Sequence, residues 1–336
     1  MSPPPPSHSG SSSPTQTSPE IARAILVTCL SLPAGALVQY ALELLTAAGR
    51  PFRALAIFRV FVPATVLTLT ALGFALGLPV TGAVAIGLWG LAWLAALALM
   101  ALSLRRAVDP RLFTASPTHD RPTWRRESRP FFGYRASLAL LAQAGIIALE
   151  LLAPEKSALG AYAAAMATTA MATVLATATN RAYGRELALL LESRDFATLL
   201  RRRRERLAWL APAIALYLTL TFGFSAEVLA LFRPEFAAAG VVPLRILAVA
   251  TAFTVLFSLA PTYLKFQKLN RTTYAGVAIA AATQLVLLVL LVPKFGATGA
   301  ATAYAVSMCG LYGAFAILAH REVLALKSAA LPSNLR

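Results

Sequence analysis

The run LVPKFGATGAATAY, from Leu291 to Tyr304, closes one apolar helix at Pro293 and crosses a few residues around Lys294, Phe295 and Gly296. It opens the next helix on Gly299, Ala300, Ala301 and Ala303. The segments on either side are each long enough to cross a bilayer, which takes about 20 residues of helix. A turn this short makes them antiparallel membrane helices, and the small residues let their backbones approach closely.

The rest of the chain has the composition this hairpin requires. Of 336 residues, 58% are hydrophobic and only 13% charged, too apolar for an ordinary soluble domain. Nine segments reach spanning length, at about 21–47, 54–77, 80–104, 131–153, 158–181, 207–232, 241–264, 274–293 and 298–319. All are rich in Ala, Leu, Val and Gly, and none alternates with the period of two that a barrel strand needs. The expected fold is all-α, a polytopic membrane helix bundle of about nine transmembrane helices.

The formal charge of +16 raises the question of nucleic acid, and the placement of the basic residues excludes it. Of the 30 Lys and Arg, 23 fall in loops on one side of the spans, four on the other (Arg23, Lys156, Arg233, Lys294), and three within spans. Loops rich in Lys and Arg stay in the cytoplasm, so the N-terminus is expected outside and the C-terminus inside a bacterial inner membrane.

Residues 1–19 are rich in Pro and Ser and lack Lys and Arg, which reads as a disordered tail rather than a signal peptide. Residues 105–130 carry Pro and both signs of charge and are expected to link a lobe at 20–104 to a second lobe at 131–326, followed by a tail at 327–336. In residues 182–206, Leu187, Leu190, Leu191, Phe196, Leu199 and Leu200 recur at near-helical spacing beside many arginines. That pattern suits either an amphipathic helix on the inner leaflet or a solvated charge run that enforces topology. Cys29 and Cys309 fall in apolar segments without partners at metal spacing and read as small packing residues.

The second half also carries an ordered set of landmarks. Phe131-Phe132 and Glu150 lead to Gly160-Ala161-Tyr162-Ala163-Ala164-Ala165, then Glu227-Val228-Leu229, Leu231-Phe232-Arg233-Pro234-Glu235-Phe236, Leu244-Arg245-Ile246-Leu247 and the hairpin with Pro293, Phe295, Gly296 and Gly299. Over about 170 residues this set resembles the lipopolysaccharide and polysaccharide repeat-unit flippases of the multidrug/oligosaccharidyl-lipid/polysaccharide exporter superfamily. The resemblance implies two six-helix lobes around a central cavity, alternating access, and an undecaprenyl-pyrophosphate-linked oligosaccharide as cargo. It also implies membrane lipids, and polysaccharide polymerase or export components, as partners. The helices from Phe131 onward match a complete C-terminal lobe. By the same resemblance the three before it would be the end of an N-terminal lobe, and its first three helices are expected to be absent. A peptidoglycan-precursor flippase, a cation-coupled drug exporter, and a non-transporting scaffold or degenerate fragment of a polysaccharide-export system remain alternatives.

An anionic lipid-linked cargo needs cations and polar groups at membrane depth, and ionisable residues within spans are where such groups are found. Arg59, Arg135 and Arg245, with Gln143, are the substrate-binding candidates; each arginine also lies near enough to an interface to snorkel. Glu43 and Glu150 are coupling-ion candidates, since burial raises a carboxyl pKa and makes its charge switchable. Ion pairs of Glu43 with Arg50 or Arg53, and of Glu150 with Lys156, are the plainer explanation. Tyr162, Asn180, Tyr217, Tyr263 and Gln284 either meet sugar hydroxyls or bond between helices. No Walker loop, G-x-S-x-G, HExxH or C-x-x-C occurs, so neither an enzyme, a cofactor nor a metal site is expected.

Overall fold

The computed structural model describes residues 19–77, 79, 81–107, 120–153, 155 and 157–329. Every regular element among them is helical. Eight helical stretches are long and apolar enough to cross a membrane. The chain is an all-α, polytopic membrane bundle, and it divides into two compact units, residues 1–119 and 120–336.

The first unit contains α1 (Pro19–Ala47), α2 (Pro51–Ala56), α3 (Val62–Ala75) and α4 (Gly82–Ala107). α1 lies along α4, with Val38, Leu42 and Leu45 in one core with Ala92, Ala96 and Met100. Small residues set the approach: Ser31 packs on Gly90, and the Trp93 ring fills the space a side chain at Gly35 would take. Between α2 and α3 the chain makes a π-turn, Ile57–Phe61, in which the Val62 N–H reaches back five residues to the Ile57 carbonyl. Pro63 explains it. A proline has no N–H to donate, and its ring collides with the carbonyl four residues earlier, here that of Arg59, unless the helix widens locally.

The second unit contains α5 (Arg121–Leu152), α6 (Ser157–Glu192), α7 (Phe196–Gly223), α8 (Ser225–Ala230), α9 (Pro234–Phe257), α10 (Ala260–Phe266) and α11 (Asn270–Ala329). α11 is 60 residues long but is broken at Gly296, which takes φ 51° and ψ −127°. On a straight helix Gly276 and Phe315 would be about 58 Å apart. Instead the Phe315 ring lies against Gly276, so the two legs fold back on each other. Counted by legs, nine helical stretches of spanning length are present among the described residues. At the turn, Val292, Ala300, Ala301 and Ala303 are fully buried while Lys294 and Phe295 point outward.

Two cores hold this unit. One gathers Tyr162, Leu229, Leu244, Leu247, Leu288 and Val292 near the hairpin turn. The other gathers Leu141, Phe196, Leu199, Tyr263, Leu264 and Phe315 toward the opposite end. Tyr162, 1% exposed, presses its ring against Gly145 of α5. Gly145→Ala is therefore expected to destabilise the unit by about 1–3 kcal/mol through overpacking. A lowered melting temperature in detergent checks it.

Several boundaries differ from those the sequence predicts. α5 begins at Arg121, inside the stretch 105–130, because Asp120 caps it by accepting from the Thr123 N–H at 3.2 Å and Pro122 suits a first turn. Residues 1–18, 108–119 and 330–336 lie outside the described residues. Residues 182–206 form no separate inner-leaflet helix. α6 runs on to Glu192, Arg194 turns the chain at φ 55°, and Asp195 caps α7 from the Thr198 N–H at 3.0 Å. Those hydrogen bonds from Thr198 hold the Asp195 carboxyl below its ordinary pKa. Leu187, Phe196 and Leu199 turn into the protein core rather than toward lipid. The spans expected at 207–232 and 241–264 are each interrupted, the first after Gly223 and the second after Phe257. Cys29 and Cys309 are both free thiols.

Candidate functional site

In the first unit, Arg59 is carried by the π-turn and is exposed, its guanidinium 5.6 Å from the centre of the Phe58 ring. Such turns inside α-helices recur at functional sites. Glu43 is exposed on α1, and it makes no ion pair with Arg50 or Arg53.

In the second unit, Arg135, Gln143 and Glu150 all belong to α5 and all are exposed. Their spacings of eight and seven residues place them within about 80° of arc at 100° per residue, so they form one stripe about 22 Å long. The opposite face of α5 is buried through Leu141, Ala144 and Ala148. There Gln284 of α11 donates to the Leu141 carbonyl at 3.0 Å, which makes Gln284 a link between helices. Arg135 lies 5.5 Å from the Phe131 ring centre, and Lys265 donates to the Tyr134 hydroxyl at 2.9 Å beside it. Arg59, Arg135 and Glu150 form no ion pair among the described residues, and Lys156, the expected partner of Glu150, lies outside them. At membrane depth an unpaired charge must meet water or head groups, so these exposed positions belong to a wetted surface or an interface.

Arg245 is tied up differently. Its Nη2 donates to the Phe222 carbonyl at 3.0 Å and its Nε to the Ser225 hydroxyl at 3.1 Å, over the Phe222 ring. The first of these bonds caps one carbonyl at the end of α7, and together they dock α9 on the α7–α8 turn.

One residue that the sequence does not single out is Arg206, which there belongs to a run of loop charges. It is 2% exposed. Its Nη2 donates to Asn180 Oδ1 at 2.8 Å, Ser258 Oγ at 2.8 Å and Thr179 Oγ1 at 3.4 Å, and its Nη1 to the Leu256 carbonyl at 3.2 Å. Asn180 also donates to the Ser258 carbonyl at 3.3 Å. The guanidinium thus joins α6, α7 and the α9–α10 break, and its acceptors among the described residues are all neutral. The available signal is the spacing of Leu199, Arg206, Leu210 and Ile214. It puts Arg206 on the buried stripe of α7, one residue before the apolar run at 207–232.

No three His, Cys, Asp or Glu side chains come together as a metal site among the described residues. No protein-family model matches the chain, and no curated protein matches it. A solved structure does: MATE in the bent conformation superposes with a TM-score of 0.63 over 92% of this chain, at 14% sequence identity. The fold is similar to that of MATE. The match spans 69% of the MATE chain.

Proposed function

We propose that the protein is a membrane transporter of the multidrug/oligosaccharidyl-lipid/polysaccharide exporter superfamily, and that its cargo is an undecaprenyl-pyrophosphate-linked oligosaccharide of polysaccharide or lipopolysaccharide synthesis. The MATE-like fold supports transport by alternating access. The observation that carries the cargo class is the set of exposed membrane-depth arginines, Arg59 and Arg135, with no carboxylate partner among the described residues. Pyrophosphate is the group such cations hold. Gln143 on the same stripe as Arg135 offers an amide to the glycan, and Arg245 is placed second because two of its donors are engaged. Glu43 and Glu150 are exposed, so burial does not supply the switchable charge expected of them; as carboxylates free of ion pairs among the described residues and open to a cation, they remain the proposed coupling-ion sites.

The test is transport of that cargo into the lumen-facing leaflet of proteoliposomes, read by lectin access to the sugar. Arg59→Gln and Arg135→Gln are each expected to slow translocation by about tenfold, the loss of roughly one charge-assisted hydrogen bond. Neutralising Arg233, which pairs with Glu235 at 3.4 Å, is expected to leave the rate unchanged. Equal rates for all three variants would remove the arginines from the mechanism. Absence of transport by the unaltered chain, with a cationic dye moved instead, would favour the drug-exporter alternative.

A further inference from the structure

The arginine-rich end of the second unit contains a narrow cleft, enclosing about 60 Å³ and open at its mouth, between α6, α7, α10 and the second leg of α11, reached also by the end of α9. One wall is apolar, with Leu187, Leu190, Leu199, Phe257 and Val323. The other carries Arg202, Arg203 and Arg206, and Glu186 is the one carboxylate among the lining residues. Arg202 is neutralised, with its Nε 2.7 Å from Glu186 Oε1 and its Nη1 2.8 Å from Glu205 Oε2. Arg203, half-buried, forms no ion pair among the described residues. Arg206 is buried among neutral acceptors and its Nε has no hydrogen-bond partner; the buried Tyr263 hydroxyl on the same cleft has none either.

We propose that this cleft binds an anionic membrane lipid, taking its phosphate at Arg203 and Arg206 and its hydrocarbon chain along the leucine wall. Two cations without a carboxylate of their own, beside apolar side chains, are costly to leave uncompensated. Arg203 offers an open guanidinium fork to a phosphate, while Arg206, whose Nη1 and Nη2 already donate within the protein, has its Nε left to give, and the unpaired Tyr263 hydroxyl is a further donor in the same wall. Basic pockets between membrane helices take lipid head groups in this way. A free phosphate would satisfy only the cationic wall, and a zwitterionic lipid would bring its own cation. Arg135, Gln143 and Glu150 do not line the cleft, so lipid binding and cargo transport are separable.

The full chain, purified in detergent, is titrated with dioleoylphosphatidylglycerol and with dioleoylphosphatidylcholine, and bound lipid is counted by native mass spectrometry. The anionic lipid is expected to bind about tenfold more tightly, and Arg203→Gln to weaken it about fivefold, the effect of removing one charge-assisted hydrogen bond near a surface. Arg201, which is exposed and does not line the cleft, serves as the control, and Arg201→Gln is expected to change nothing. Arg203 makes no structural hydrogen bond among the described residues, so its variant keeps the fold. Equal binding of the two lipids, no binding of either, equal effects of the two variants, or displacement of phosphatidylglycerol by inorganic phosphate alone would each overturn the proposal.

Discussion

Gly299→Ala is expected to destabilise the protein by about 2 kcal/mol or more, while Gly310→Ala in the same helical leg is expected to stabilise it by about 0.5–1 kcal/mol. The two glycines share a helix and differ in what faces them. A side-chain carbon at Gly299 would meet the carbonyl of Leu291, which is backbone in the opposite leg of the hairpin and has no rotamer by which to retreat. At Gly310 nothing lies within 4 Å, so only the entropic gain of replacing glycine in a helix remains. Melting temperatures of the two variants in the same detergent decide the matter. If both move in the same direction, the close approach at Gly299 does not hold the hairpin shut.

Arg206→Met is expected to lower stability by about 2–4 kcal/mol, whereas Arg204→Met, two residues earlier and exposed, is expected to stay within about 0.5 kcal/mol of the unaltered protein. Methionine approximates the arginine stem and removes its five donors. The Leu256 carbonyl then loses its side-chain donor in a buried setting, and Asn180 Oδ1 keeps only the bond from the Ser258 hydroxyl at 3.0 Å. Removing the buried charge gives something back, since an arginine among neutral groups carries a desolvation cost. The lost donations outweigh it because four acceptors, the Leu256 carbonyl, Asn180 Oδ1, Ser258 Oγ and Thr179 Oγ1, each lose a bond at once. Arg206→Lys is expected to fall between, as one ammonium cannot span acceptors on α6, α7 and the α9–α10 break together. Reversible unfolding of the detergent-solubilised protein in denaturant measures all three, and a neutral result for Arg206→Met would show that the node contributes nothing net.

Much of the fold is legible in the sequence because membrane spans announce themselves locally. Twenty apolar residues in a row have no soluble alternative, and a Pro and Gly between two such runs leave room only for a turn. The helix ends are less legible. α5 and α6 extend well beyond their apolar stretches, as polar helix that hydropathy does not detect. The amphipathic spacing in residues 182–206 does mark helix, but the inner leaflet is not the surface that covers it. Periodicity says that one face is apolar and does not say whether lipid or protein lies against that face. Here Leu264 and Phe315 share a core with Leu187, Phe196 and Leu199.

Side-chain roles are legible in part. Ionisable residues inside apolar runs stand out by composition alone, as Arg59, Arg135 and Glu150 do. Their common exposure is not legible, and neither is the engagement of Arg245 with Phe222 and Ser225. Arg206 is hidden by its neighbours, because a run of five arginines in six positions reads as one solvated patch.

Local composition and backbone chemistry are enough to make this chain a bundle of apolar membrane helices and to turn it back on itself between Leu291 and Tyr304. They do not say which residues meet across that turn, that Gly299 faces a carbonyl, or that one arginine of a charged run is buried while its neighbour Arg204 is exposed. Those outcomes belong to the folded arrangement. They depend on segments distant in the chain coming together, Gly276 with Phe315 or Arg206 with Asn180 and Ser258, and the spacing of residues along one segment carries no record of such meetings.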